Sequence, residues 1–130
     1  MQSRCSLKII YPMKILVVDD EKEICEMVTK TLVRNGYDVI TATNLQAATK
    51  LINNSNWDLI ITDAMIPYVG GIELVDDIKA TSSTPVIMMT GMSEDILKTT
   101  INKADLIIHK PFSSLDLLSA VKALTGERAL

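Results

Sequence analysis

Cysteine is scarce in this chain: Cys5 and Cys25 are its two examples in 130 residues. Two thiols with no framework spacing exclude a disulfide scaffold, and Cys25 falls within a helical pattern where it reads as a small buried hydrophobe. A reducing cytoplasm is the expected compartment. No apolar run approaches the ~20 residues that a membrane span needs. Positive charge is not in excess either, with 13 Lys and Arg against 16 Asp and Glu and a formal net charge of -3. No basic stripe exists to attract nucleic acid. Repeats, low-complexity tracts and a G-x-G-x-x-G fingerprint are all missing, and the last absence excludes a dinucleotide enzyme. Residues 1–12 lack the apolar stretch and small-residue cleavage site of a signal peptide. Pro12 interrupts any strand running backward from Lys14, so these residues read as an N-terminal extension with Met13 a candidate natural start.

What is present suffices for one domain with one adequate core, at 48% hydrophobic and 22% charged residues. Ile15, Leu16, Val17 and Val18 form an unbroken apolar run, too short for a buried helix and rich in β-branched residues. It predicts a strand covered on both faces, as in a parallel sheet. Asp19 and Asp20 follow at once, where ligands bind in open α/β sheets. Glu21 and Glu23 then place negative charge in a first helical turn. Ile24, Val28 and Leu32, widened by Met27, form the inward stripe, and Gly36 is the stop.

The same pattern recurs along the chain. Residues 38–42 read as a second strand, and Asn44 caps a helix with Leu45, Ala48, Leu51 and Ile52 inward. Residues 58–63 are a third apolar run that ends on a carboxylate, Asp63. The segment 64–71, with Pro67, Gly70 and Gly71, reads as a loop because these residues are breakers. Ile72, Leu74, Val75 and Ile78 make a third helix. Residues 85–89 form a fourth strand ending at Thr90-Gly91. Ser93, Glu94 and Asp95 open a fourth helix with Ile96, Leu97 and Ile101, and residues 105–109 are a fifth strand. Lys110-Pro111-Phe112 follows, then a last helix capped by Ser114, with Leu115, Leu118, Val121 and Leu124 inward and Gly126 at its end.

Five strand–helix units with short connections require right-handed crossovers and helices on both faces of one parallel sheet. With the first strand central, strands one, three and four lie side by side, and Asp19, Asp20, Asp63 and Thr90 share one edge with Lys110. Clustered carboxylates repel unless protonated or gathered round a cation. Hard oxygens with open water positions suit Mg²⁺ together with a phosphate oxygen. Such a site can pass a phosphoryl group to a carboxylate. Asp63 is then the nucleophile, Lys110 a cationic clamp and Thr90 a hydroxyl donor to the phosphoryl oxygens.

Over residues 13–126 the chain resembles the CheY-like receiver domains of bacterial two-component response regulators. The resemblance rests on the pair Asp19-Asp20, on Asp63 with Pro67 and Gly71 downstream, on Thr90-Gly91, and on Lys110-Pro111-Phe112. It implies a doubly wound, five-stranded α/β fold of the flavodoxin-like type with strand order 2-1-3-4-5. Residues 127–130 are then a C-terminal tail. It also implies Mg²⁺ held by Asp20, Asp63 and the backbone carbonyl of Met65, with Asp19 acting mainly through water, and a cis Lys110-Pro111 bond. The implied phosphodonor is a sensor histidine kinase or a phosphotransfer protein. Output runs to a downstream protein or through self-association at the face of the fourth helix, fifth strand and fifth helix. The domain catalyses its own aspartyl phosphorylation and dephosphorylation without being a turnover enzyme on a separate substrate.

Two positions depart from the family: Ile107 replaces the usual aromatic three residues before the lysine, and Lys103 replaces a glycine. Met65 and Met92 are apolar where relatives border the path of attacking water, which implies slow hydrolysis of the phosphorylated form. Rival readings fare worse. A flavin phosphate would be repelled by Asp19-Asp20-Glu21, and a haloacid-dehalogenase-type phosphatase needs an acid where this chain has Met65. A degenerate, non-phosphorylated receiver is opposed by the intact set of Asp19, Asp20, Asp63, Thr90 and Lys110. His109 reads as structural or exposed, Trp57 and Phe112 as packing residues, and the methionines as core filler.

Overall fold

The computed structural model describes residues 11–68, 70–93 and 103–126. Its elements alternate along the chain: β1 (Lys14–Val18), α1 (Lys22–Arg34), β2 (Asp38–Ala42), α2 (Leu45–Asn54), β3 (Leu59–Asp63), α3 (Gly70–Thr81), β4 (Val86–Thr90), β5 (Leu106–His109) and α4 (Ser114–Thr125). The helix expected from Ser93 onward, most of the N-terminal extension and the C-terminal tail lie outside the described residues.

The strands form one parallel sheet in the order β2-β1-β3-β4-β5, as the sequence predicts. The central strands are apolar along their length because both faces are covered. On one face Ile15, Val17, Ile61, Ile87 and Met89 pack with Val28 and Leu32 of α1 and Leu117 and Val121 of α4. On the other, Leu16, Val18, Ile60 and Val86 pack with Ala48 of α2 and Leu74, Val75 and Ile78 of α3. Each fully buried large side chain contributes about 1.5–3 kcal/mol relative to exposure, so this two-sided burial fixes the strand register. Phe112 packs on the first cluster, and Trp57 is buried with its indole N–H donating to the Leu51 carbonyl at 3.0 Å.

Helix ends follow side-chain chemistry. Asn44 caps α2 by accepting from the Ala47 amide at 2.8 Å. Gly36, beyond α1, adopts φ 91, as its reading as a stop requires. Two expectations need correction. The cap of α4 is Ser113, not Ser114: Ser113 and Asp116 form a reciprocal capping box, while the Ser114 hydroxyl lies 3.2 Å from that of Thr31 on α1. Of the expected inward residues, Val121 is buried and Leu118 and Leu124 pack on the first cluster, but Leu115 is 73% exposed, and Leu117 and Ala120 join Val121 in the buried face. Second, Gly70 and Gly71 are not loop but the first residues of α3. A Cβ on Gly71 would lie 1.7 Å from the Asp63 carbonyl oxygen, so glycine serves close backbone approach there rather than chain breaking.

Candidate functional site

The sheet ladder continues one residue past several strands and thereby pins the backbone of the acidic edge. The Asp19 amide donates to the Ala42 carbonyl at 3.1 Å, the Ala64 amide to Met89 at 2.9 Å, and the Lys110 amide to Thr90 at 2.8 Å. Register pairs Asp63 with Met89 and Thr90 with His109, so the ends of β1, β3, β4 and β5 open on one side.

Asp19, Asp20 and Asp63 present carboxylate oxygens that all lie within 4.8 Å of one another. Asp19 and Asp63 are buried and Asp20 is exposed. One Asp19 oxygen accepts from the Glu21 amide at 2.9 Å, and the other faces the Lys110 ammonium at 3.1 Å. That ammonium also lies 3.4 Å from Asp63 Oδ2 and 3.3 Å from Glu21 Oε1. The expected convergence of acids from β1 and β3 with Lys110 is present, and the Lys110-Pro111 bond is cis. Thr90 is fully buried, its hydroxyl oxygen accepting from the Met92 amide at 2.9 Å. Met65 follows the acceptor with its side chain 43% exposed and its amide 3.4 Å from Asp63 Oδ1. His109 is exposed. Tyr68 is 83% exposed with φ 55, a surface position in the left-handed region.

Two roles escape a sequence reading. Glu21 sits at the same edge as the aspartates, but its place at a helix start accounts for its charge without them. Gly71 carries no chemistry, and only the fold brings it against the backbone of Asp63.

Burial pushes both the Asp19 and Asp63 carboxyls above their ordinary 3.8, and hydrogen bonds and Lys110 only partly oppose it. Burial also acts to lower Lys110, but hydrogen bonding and charge from Asp19, then Asp63 and Glu21, outweigh it and raise the ammonium above 10.5. The donor set is therefore all hard oxygen, strained by desolvation and mutual repulsion, and it fits a divalent cation such as Mg²⁺ or Ca²⁺ better than a soft metal.

A sign follows for the metal-free protein. A folded pKa raised above 3.8 means that the native state holds more protons than the unfolded chain just above that pH, so stability declines as pH climbs through the folded value. Asp63→Asn is expected to match wild type at acid pH and to become the more stable protein as pH climbs to neutrality. Urea titrations in the presence of a chelator check this; a stability difference that does not vary with pH would contradict it. Mg²⁺ at about a hundred times its dissociation constant should stabilise wild type by about 2.7 kcal/mol and Asp63→Asn by much less.

The parallel 2-1-3-4-5 sheet with an acid trio and one ammonium at its carboxyl edge defines a doubly wound, CheY-like domain whose acidic cluster could hold a hard cation. More narrowly, the chain belongs to the response regulator receiver domain family, whose model matches residues 15–122. It is similar to the transcriptional regulatory protein CpxR homolog of Haemophilus influenzae, 38% identical over 119 residues, which cover 89% of this chain and 52% of the relative. It also resembles the phosphate regulon transcriptional regulatory protein PhoB of Escherichia coli, 38% identical over 116 residues, 85% of this chain and 51% of PhoB. The chain thus spans about half the length of these curated relatives. Among solved structures, the Francisella response regulator 1452 receiver domain superposes with TM-score 0.77 at 34% identity, covering 87% of this chain and 96% of that one. The chemotaxis response regulator CheY4 of Vibrio cholerae gives 0.80 at 30% identity, with 88% and 99% covered. No helix among the described residues is long and apolar enough to cross a membrane.

Proposed function

We propose that this domain is a phosphorylation-activated switch of a two-component system, with Asp63 as the phosphoryl acceptor. The observation that carries the reading is the Lys110 ammonium, placed 3.4 Å from Asp63 and 3.1 Å from Asp19, beside three carboxylates that share a cation-sized space. Asp19, Asp20 and Asp63, with the Met65 carbonyl, are the groups that would hold Mg²⁺, and Asp19, with both oxygens already engaged, would act mainly through water. The ion would supply charge neutralisation at the phosphoryl oxygens.

The donor is a phosphohistidine on a sensor histidine kinase or phosphotransfer protein. An Asp63 oxygen forms the new O–P bond as the N–P bond breaks, and the departing imidazole nitrogen keeps the electron pair. Lys110 compensates negative charge on the phosphoryl group, and Thr90 turns its hydroxyl proton toward a phosphoryl oxygen. The domain acts on itself and is not a turnover enzyme on a separate substrate. It works in the cytoplasm. Its output runs through the face that includes β5 and α4, by binding a downstream protein or by self-association, as phosphorylation biases a two-state equilibrium.

Incubation with acetyl phosphate and Mg²⁺, followed by intact-mass measurement, tests the reading. A single phosphoryl adduct is expected on wild type and none on Asp63→Asn; adducts on both, or on neither, would reject Asp63 as acceptor. Met65 and Met92 offer water no polar handhold, so the adduct is expected to hydrolyse slowly. Polar replacements at both positions should speed hydrolysis about tenfold, below the ~10² of a positioned general base. The mass-resolved decay of the adduct measures this, and an unchanged half-life would rule it out.

A further inference from the structure

Lys110 has three ammonium protons and three carboxylate neighbours, but the three contacts differ in kind. It donates hydrogen bonds to Asp19 at 3.1 Å and to Glu21 at 3.3 Å, while Asp63 at 3.4 Å is held as an ion pair. Two of those protons serve Asp19 and Glu21, and an ammonium drawn toward a phosphoryl group on Asp63 is drawn away from one of these partners. Asp19 is a poor candidate, because its side chain is 0% exposed and would be left as a buried charge without its cation. Glu21 is 60% exposed, and water replaces its hydrogen bond at little cost.

Glu21 also does not do what its position in the chain would suggest. It occupies the N-cap of α1, yet its side chain makes no capping hydrogen bond. Residues favoured at that position use a short side-chain oxygen to accept from the helix's first amides. Here the longer carboxylate reaches across the site to Lys110, 89 residues away in sequence. Its backbone amide is held by Asp19 Oδ1 at 2.9 Å, so the base of the side chain is fixed while its end is free to leave.

We propose that Glu21 is a positioning residue: a releasable tether that parks Lys110 in the unphosphorylated protein and gives it up when the phosphoryl group arrives. The proposal rests on Asp63 being the acceptor. It makes Glu21 a brake on phosphorylation, because its hydrogen bond holds the ammonium in the unphosphorylated arrangement.

The test compares wild type, Glu21→Ala, Glu21→Asp and Glu21→Gln, each with acetyl phosphate and Mg²⁺. Adduct formation is timed by intact mass, and each free protein is melted separately. Alanine and aspartate both lose the reach to Lys110, and aspartate keeps the negative charge. Both are expected to form adduct roughly two- to fivefold faster than wild type, the weight of an exposed ion pair, with glutamine in between. Melting temperatures should stay within about 3 °C of wild type. Equal or slower rates in the alanine variant overturn the tether. So does an aspartate variant that behaves like wild type, which would assign the effect to charge at a distance. A rate change that tracks a large fall in melting temperature would assign a merely structural role and overturn it as well. If wild type forms no adduct, the acceptor reading itself fails; if adduct forms at one rate in all four proteins, only the tether does.

Discussion

Lys110→Met should cost about 2–3 kcal/mol of stability at neutral pH and sharply slow adduct formation on Asp63. Removing one member of a fully buried ion pair costs about 3–5 kcal/mol. Here the Asp19 side chain is 0% exposed and the Lys110 side chain 19%, which places the loss at or below the lower end. Methionine keeps most of the apolar stem, so the change removes charge more than volume. The loss should not add to the effect of Asp19→Asn: in the double variant the buried charge is gone, and most of the stability returns. Denaturant titrations of the four proteins in the cycle measure the coupling, and strict additivity would show that the pair is not coupled. The same ion pairs predict alkaline behaviour. Lys110's pKa is raised above 10.5, so its contribution is complete below that value and fades as pH rises through the folded one. Wild type should lose stability there, and Lys110→Met should lack that component.

The second large effect comes from a residue with no side chain. Gly71→Ala is expected to destabilise the fold by about 3 kcal/mol, at the upper end of overpacking costs. Alanine is favoured over glycine inside a helix by about 1 kcal/mol, but that gain loses here. The new methyl would meet the Asp63 carbonyl oxygen at 1.7 Å and its carbon at 2.7 Å, backbone atoms that cannot rotate aside. Relief must come from moving the acceptor's own peptide, so phosphorylation should fall together with stability. The neighbouring Gly70→Ala is a useful contrast. Its Cβ meets Leu45 Cδ1 at 2.5 Å, the end of a flexible side chain that can turn away. Gly91→Ala, with nothing within 4 Å, should stay within about 0.5 kcal/mol of wild type. Urea midpoints for the three variants rank these costs. If Gly71→Ala were as stable as Gly91→Ala, close approach would not explain the glycine.

The chemistry-bearing residues were legible because a parallel sheet leaves its central strands no choice but to be apolar. Residues 15–18, 59–61 and 86–89 announce themselves as apolar runs, and the polar residues after each run are marked by contrast. The convergence of Asp19, Asp20, Asp63 and Lys110 followed from that topology, and the full strand order from the family resemblance. What escaped depends on distances that no local pattern encodes. Gly71 belongs to the family motif, but its packing role shows only when Asp63's carbonyl is set against it. Ser113 and Ser114 are adjacent and chemically equivalent, and only the reciprocal bond with Asp116 decides which one caps. Glu21 had a sufficient local explanation in the helix dipole, which concealed its reach to Lys110.

The single tryptophan bears on how this domain can be studied. Trp57 is anchored to the Leu51 carbonyl and lies under the Lys14 ammonium, 4.8 Å from the ring centroid. It precedes β3, whose far end carries Asp63, and a strand of that length spans roughly 17 Å. Indole emission should therefore follow global unfolding faithfully while staying dark to cation capture and phosphorylation. An optical assay of the acidic edge will need a fluorophore introduced on that side of the molecule.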